Sequence, residues 1–120
     1  MSRDDFAKPV IEALARRVGY KCSNPHCGAP TVGPATSQHG SVNVGVAAHI
    51  TAASGGGPRY DATLDREGRR GITNGIWLCQ KCAHMIDVDE GGYSVHRLKE
   101  WKHNAEVAAA RGIAGALAAG

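Results

Sequence analysis

Two runs decide the fold of this chain: Val44-Gly-Val-Ala-Ala-His49-Ile50 and Asn74-Gly-Ile-Trp-Leu-Cys79-Gln-Lys-Cys82-Ala-His84-Met-Ile-Asp87. Val42, Val44 and Val46 alternate with Asn43, Gly45 and Ala47, the period of two expected of a half-buried strand. That strand delivers His49 at its end. Ile72 to Leu78 is an apolar run of strand length, and Gln80 to about Val88 is expected to be helical. A histidine thus closes one strand, an asparagine opens the next, and paired cysteines lead into a helix.

A second pair, Cys22-x4-Cys27, stands upstream of Cys79-x2-Cys82. Two close pairs far apart in sequence suit tetrahedral zinc, because each loop contributes two thiolates and the ion closes the long chain between them. A fully thiolate shell leaves no open position for water, so such a site is structural. It can supply on the order of 10 kcal/mol of apparent folding free energy. His26 in place of Cys27, or unligated thiols, are the alternatives. The chain needs such a staple. At 120 residues it is one small domain, with one Phe, two Trp, three Tyr and 16 Gly, and its core is correspondingly thin.

Met1-Ser-Arg-Asp-Asp-Phe shows no signal pattern, and no apolar run is long enough to span a bilayer. A cytoplasmic chain without a membrane partner is therefore expected, and reducing conditions there favour zinc over disulfides. The formal net charge of +3 permits a nucleic-acid partner without arguing for one. Arg16, Arg17 and Lys21 precede the first cysteine, and Arg66, Arg69 and Arg70 precede Asn74; any single one of them reads equally as a solvated surface charge.

Around this centre, Val10, Ile11, Leu14 and Val18 recur at helical steps between Pro9 and Gly19, which predicts a helix over roughly 8–18. Residues 22–41 read as loop, broken by Pro25, Pro30, Gly33, Pro34 and Gly40. From Ala52 a polar, Gly-rich connection runs to about residue 72, long enough to suggest a functional loop. Ser94 can cap a last helix whose apolar stripe is Val95, Leu98, Trp101 and Ala105. Residues 107–120 are Ala/Gly-rich and read as a tail or the start of a linker, leaving 1–106 as the domain proper.

The order His49, Asn74, Leu78-Cys79-x-x-Cys82 resembles the HNH nucleases of the ββα-metal class, an α+β fold here flanked by N- and C-terminal helices. A closer resemblance covers residues 10 to about 106. It is carried by Cys22-Ser-Asn-Pro-x-Cys27, Pro30-Thr-x-Gly-Pro34, Val46-Ala-Ala-His49-Ile-Thr-Ala-Ala-Ser54, Gly57-Pro-Arg-Tyr-Asp61 and Asn74-Gly-Ile-Trp-Leu-Cys79-Gln. These runs are similar to the N-terminal nuclease domain of bacterial anti-phage CBASS effectors, in which a C-terminal SAVED domain senses a cyclic nucleotide and drives oligomerisation. The resemblance implies an endonuclease that hydrolyses double-stranded DNA with little sequence preference. It further implies homo-oligomerisation, and a sensor domain for which this chain has no room; an excised nuclease domain is expected. His49 would be the general base, Asn74 would tie the strands together and orient it, and a Mg²⁺ or Mn²⁺ ion would bind the scissile phosphate. A neutral imidazole suits proton abstraction near neutral pH, and the ion neutralises charge in the transition state.

Two positions depart from that pattern. Ala48 stands where many HNH nucleases carry an Asp ligand. Ala83 stands where the last motif histidine usually falls, and His84 comes one residue later, rotated by about 100° on an ideal helix. His84 and Asp87 are therefore the candidate ligands of the catalytic ion, with an exposed helix histidine as the plain alternative. Arg59, Arg69 and Arg70 are the candidate DNA contacts, Arg59 being equally readable as the internal partner of a surface turn. Two other functions compete: a non-catalytic zinc-stabilised module binding nucleic acid or protein, and a restriction-type HNH nuclease.

Overall fold

With Pro9 in its first turn, the first helix is α1 (Lys8–Arg17), which buries Leu14 and Ala15. Gly19 and Tyr20 both take left-handed φ, near +62° and +60°, and turn the chain out of the helix toward the first cysteine. The computed structural model describes residues 4–119, with side chains in the last helix described as far as residue 115. Met1 to Arg3, read above for a signal pattern, and Gly120 at the end of the tail lie outside those residues.

The segment 22–41, expected to be loop, contains half of a hairpin. β1 (Val32–Pro34) pairs antiparallel with β2 (Ser41–Asn43), Gly33 opposite Val42. The valine run 42–49 is consequently not one strand. The Asn43 side chain accepts from the Gly45 N–H at 2.9 Å, and the Val44 N–H donates to the Thr31 carbonyl at 2.7 Å. The backbone bends there, and β3 begins at Gly45 and ends at His49. Alternation in sequence states which residues share a face; it does not state which neighbour each half of the run will pair with.

β3 pairs antiparallel with β4 (Gly75–Cys79), with Gly45 opposite Cys79 and His49 opposite Gly75. Residues 72–74, expected to belong to this strand, form a 3-10 turn ahead of it. β4 is almost wholly buried because both its faces are covered. Ile76 and Leu78 point into a core with Ile50, Ile86, Leu98 and Trp101. Trp77 points the other way, against Ala15 and Val18. A full Leu or Ile burial is worth roughly 1.5–3 kcal/mol, so these few side chains carry much of the stability. Gly45 is required by this packing: a Cβ there would lie 2.1 Å from the Trp77 ring.

The long connection after β3 holds one short helix, α2 (Arg66–Arg70), capped by Asp65, whose carboxylate accepts from the Gly68 N–H at 2.8 Å. α3 (Gln80–Val88) follows β4 directly and matches its expected range. α4 (Val95–Ala119) is capped by Ser94, which accepts from the Arg97 N–H at 3.1 Å. Leu98 and Trp101 are buried as the stripe predicted. The helix runs on through the Ala/Gly-rich segment read as a tail. The architecture is thus a small α+β domain, with two two-stranded antiparallel sheets among the described residues. No helix among the described residues is long and apolar enough to cross a membrane.

Candidate metal centre and the cleft beside it

The loop after α1 folds back on itself at Asn24. Its carbonyl accepts from the Cys27 and Gly28 N–H groups at 2.9 and 3.0 Å, and its side-chain oxygen accepts from the His26 N–H at 2.9 Å. Its side-chain nitrogen donates to the Cys82 sulfur at 3.4 Å. On the other side, Cys79 occupies the N-cap of α3 and its sulfur accepts from the Cys82 N–H at 3.4 Å. Ser23 N–H bonds the Trp77 carbonyl at 3.0 Å and ties the two halves together. Asn24 belongs to this candidate centre and was missed in the sequence reading; its signal was the Asn-Pro turn inside the first cysteine pair.

This brings the sulfurs of Cys22, Cys27, Cys79 and Cys82 within 4.8 Å of one another. A tetrahedral zinc with Zn–S bonds of about 2.3 Å has sulfur–sulfur edges of roughly 3.8 Å, so the set fits with a small contraction. None of the four is in a disulfide. His26 is exposed and outside the set. Burial pushes the Cys22 thiol up to about 12 and raises Cys82 as well. Burial also opposes ionisation of Cys79, but the Cys82 N–H and the neighbouring thiols outweigh it and pull that thiol down. A buried tetrathiol of this kind becomes a tetrathiolate only in exchange for a cation.

A cleft of about 190 Å³ opens beside this centre, lined among others by Ala48, His49, Ser54, Pro58, Ala83 and Asp87. His49 lies at the end of β3. Its Nε2 is 2.9 Å from the Asp4 carbonyl, and its ring stacks on Phe6 with centroids 3.9 Å apart and planes 10° from parallel. A carbonyl can only accept, so in the neutral ring Nε2 carries the proton and Nδ1 is the basic nitrogen.

Asn74 is 4 % exposed and uses its full hydrogen-bonding capacity on the strand end. Its oxygen accepts from the Thr51 N–H and hydroxyl, both at 2.9 Å. Its nitrogen donates to the Thr51 and Arg69 carbonyls, both at 3.0 Å. With the Ile50 N–H on the Asn74 carbonyl at 2.8 Å, the two residues after His49 are locked to the start of β4.

The helix residues separate. Ala83 faces the cleft, and Asp87, one full turn on, shares its face. His84 is exposed and does not line the cleft. The arginines are engaged within the protein, Arg59 according to the second of its two readings. The Arg59 side chain is only 5 % exposed. It donates to the Ile50 and Ile86 carbonyls, each at 2.7 Å, and to the Asp87 carboxylate at 3.0 Å. It therefore clips the end of β3 to the end of α3 and does not present itself to a phosphate. Its own φ of +56° is an uncommon conformation for a non-glycine residue, held by these bonds and by its N–H on Glu90 at 3.0 Å. Arg69 donates to the Asp4 carboxylate at 2.7 Å and lies over the Tyr60 ring; Arg70 donates to the Asp5 carbonyl at 2.9 Å. The outermost of the three-arginine group is Arg66, whose side chain is 66 % exposed.

A larger groove, about 820 Å³, lies between α1, the cysteine loop and α4 and contains neither His49 nor Asp87. No protein-family model matches the chain, and no curated protein matches it.

Proposed function

We propose that this domain is a metal-dependent HNH endonuclease that hydrolyses phosphodiester bonds of double-stranded DNA with little sequence preference. We place it as the nuclease part of a cyclic-nucleotide-activated anti-phage effector, working in the cytoplasm in an oligomer formed through a sensor domain. The observation that carries the reading is that His49 from β3 and Asp87 from α3 line one cleft. They do so on a β-β-α unit whose helix start is tied into a cysteine cluster of zinc-binding size.

In this reading Nδ1 of His49 takes the proton of the attacking water, with Nε2–H held on the Asp4 carbonyl. Asn74 keeps the strand end that carries His49 from moving relative to β4. Arg59 holds the Asp87 carboxylate at the rim of the cleft. Among the described residues Asp87 is the one carboxylate lining it. Mg²⁺ and Mn²⁺ bind through one or two carboxylates, several waters and the substrate's own phosphate, so this sparse donor set fits an ion that binds together with DNA. Such an ion supplies charge neutralisation at the scissile phosphate.

Supercoiled plasmid incubated with Mg²⁺ or Mn²⁺, with and without chelator, tests the reading. Cleavage is expected in the wild type, and His49→Ala should lower its rate by about 10²–10⁴-fold with zinc content unchanged. Random fragment ends on sequencing would set it apart from a restriction-type enzyme. A second reading rests on Ala48 and Ala83, two methyl groups lining the cleft where the resembling nucleases place ligands. It makes the domain a zinc-stabilised binding module, and DNA binding without cleavage under either ion would establish it.

A further inference from the structure

We infer that the segment Asp4–Phe6, anchored by Arg69, is the positioning element of His49; the inference rests on the nuclease reading above. This segment precedes α1 and belongs to no helix or strand, yet it is held as firmly as one. Phe6 is 8 % exposed, and the Asp4 side chain is 14 % exposed. The Asp4 N–H bonds the Ala53 carbonyl at 3.1 Å. Its carboxylate accepts from Arg69 Nε at 2.7 Å, with Arg66 Nε 3.5 Å away. The next carbonyl, that of Asp5, accepts from Arg70 at 2.9 Å. Two arginines of α2, Arg69 and Arg70, in a group whose obvious use is phosphate binding, donate to this segment, while Arg66 stays 66 % exposed at its edge.

The consequence falls on one imidazole. Asp4 presents its carbonyl to Nε2, which selects the Nε2–H tautomer and leaves Nδ1 as the basic nitrogen. Phe6 lies flat on the ring and fixes its plane. When the ring takes up a proton, Nε2 keeps its bond to the carbonyl. Gly75, opposite His49 in the sheet, makes this possible: a Cβ there would lie 2.5 Å from Leu14 and 3.1 Å from Phe6. The anchoring closes on Asn74, whose side chain donates to the Arg69 carbonyl at 3.0 Å. Asn74 thus reaches the base by two routes, through Thr51 on the strand and through Arg69 and Asp4 around the outside. In this arrangement Arg69 is a positioning residue and not a DNA contact.

The test uses the whole zinc-loaded chain with two conservative variants. Phe6→Leu keeps the apolar fill but not the ring stack. Asp4→Asn keeps the backbone carbonyl but removes the charge that Arg69 grips. Ring ¹⁵N NMR of His49 in the wild type is expected to show the Nε2–H tautomer, with both variants moving toward a mixture. Single-turnover cleavage at saturating DNA is expected to fall about tenfold in each, since small misplacements of a reacting group carry costs of up to about 10²-fold, while zinc content and DNA affinity stay unchanged. An Nδ1–H tautomer in the wild type would overturn the inference, as would variants that cleave at the wild-type rate. Faster cleavage by Asp4→Asn would also overturn it, and would make the segment an arm that covers the site. If the wild type cleaves no DNA under any ion, the nuclease reading falls, while the tautomer and its response in the variants still decide what the segment does to His49.

Discussion

Replacing Asn74 by Ala should destabilise the domain by about 3–4 kcal/mol, an unusually large loss for a polar residue. The side chain is 4 % exposed and makes hydrogen bonds to the Thr51 N–H, hydroxyl and carbonyl and to the Arg69 carbonyl, at 2.9–3.0 Å. A typical intramolecular hydrogen bond contributes about 0.5–1.5 kcal/mol net, and a buried donor left without a partner costs about 1–3 kcal/mol. The Thr51 N–H would be so left, whereas its hydroxyl can rotate, and a water entering the polar gap would recover part of the rest. Summed, the loss comes to roughly 3–4 kcal/mol, against a total that for such domains is about 5–15 kcal/mol. With a urea m-value of about 1.5 kcal/mol/M, the unfolding midpoint of the zinc-loaded protein should drop by about 2 M. Asn74→Asp sharpens the test. It keeps the acceptor toward Thr51 but sets a carboxylate oxygen against two carbonyls, so it should lose at least as much at neutral pH. A midpoint shift below about 0.5 M in both variants would refute the reasoning, and would mean that Ile50 and the sheet register hold the strand end without the side chain.

Arg59→Met should cost about 3 kcal/mol in the same urea assay, because charge-assisted hydrogen bonds contribute about 1.5–3 kcal/mol each and the Ile50 and Ile86 carbonyls lose their donors; a loss near zero would return Arg59 to the surface and to DNA. Zinc affinity should rise with pH. Cys22, pushed up to about 12 by burial, and Cys82, also raised, are thiols before the metal enters and thiolates afterwards. Binding therefore releases protons, and stability gained from the metal is lost as pH falls. Competition with a chelator at pH 6, 7 and 8 should show about a tenfold weakening per unit drop for each proton released, and a flat profile would contradict it. Asp87→Asn should slow Mg²⁺-supported cleavage by roughly tenfold or more, as expected on losing a carboxylate ligand of the ion, whereas His84→Ala should leave the rate within about twofold because that side chain faces solvent; the reverse order would move the ion site to the other face of α3.

Much of the centre was legible in the sequence because it is written locally. Close cysteine pairs constrain their own loops, and the four sulfurs meet as the spacing implied. The apolar run before Cys79 gave β4, and its register against β3 sets His49 opposite Gly75, one residue from Asn74. The Pro9, Ser94 and Gly19 punctuation placed α1 and the start of α4 within a residue or two, since caps and turns depend on the nearest few dihedrals. What the sequence could not decide was the matter of partners. The valines at 42 and 44 looked like the first half of the histidine strand, but 32–34 lay closer to hand and took residues 41–43 as a hairpin. The phase of α3 was likewise settled by docking: Cys79 as N-cap fixed the first turn, which put Ala83 and Asp87 toward the cleft and His84 toward solvent. Arg59 read equally as a phosphate contact or as an internal partner, and Ile50, Ile86 and Asp87 closing around it decided for the second; Asp4 and Phe6 carried no motif at all. Their contacts with His49 span more than forty residues of chain, and side chains that distant meet only because the packed core brings their backbones together. Local chemistry declares itself in sequence; the choice among distant partners is made by burial, and only the tertiary structure records it.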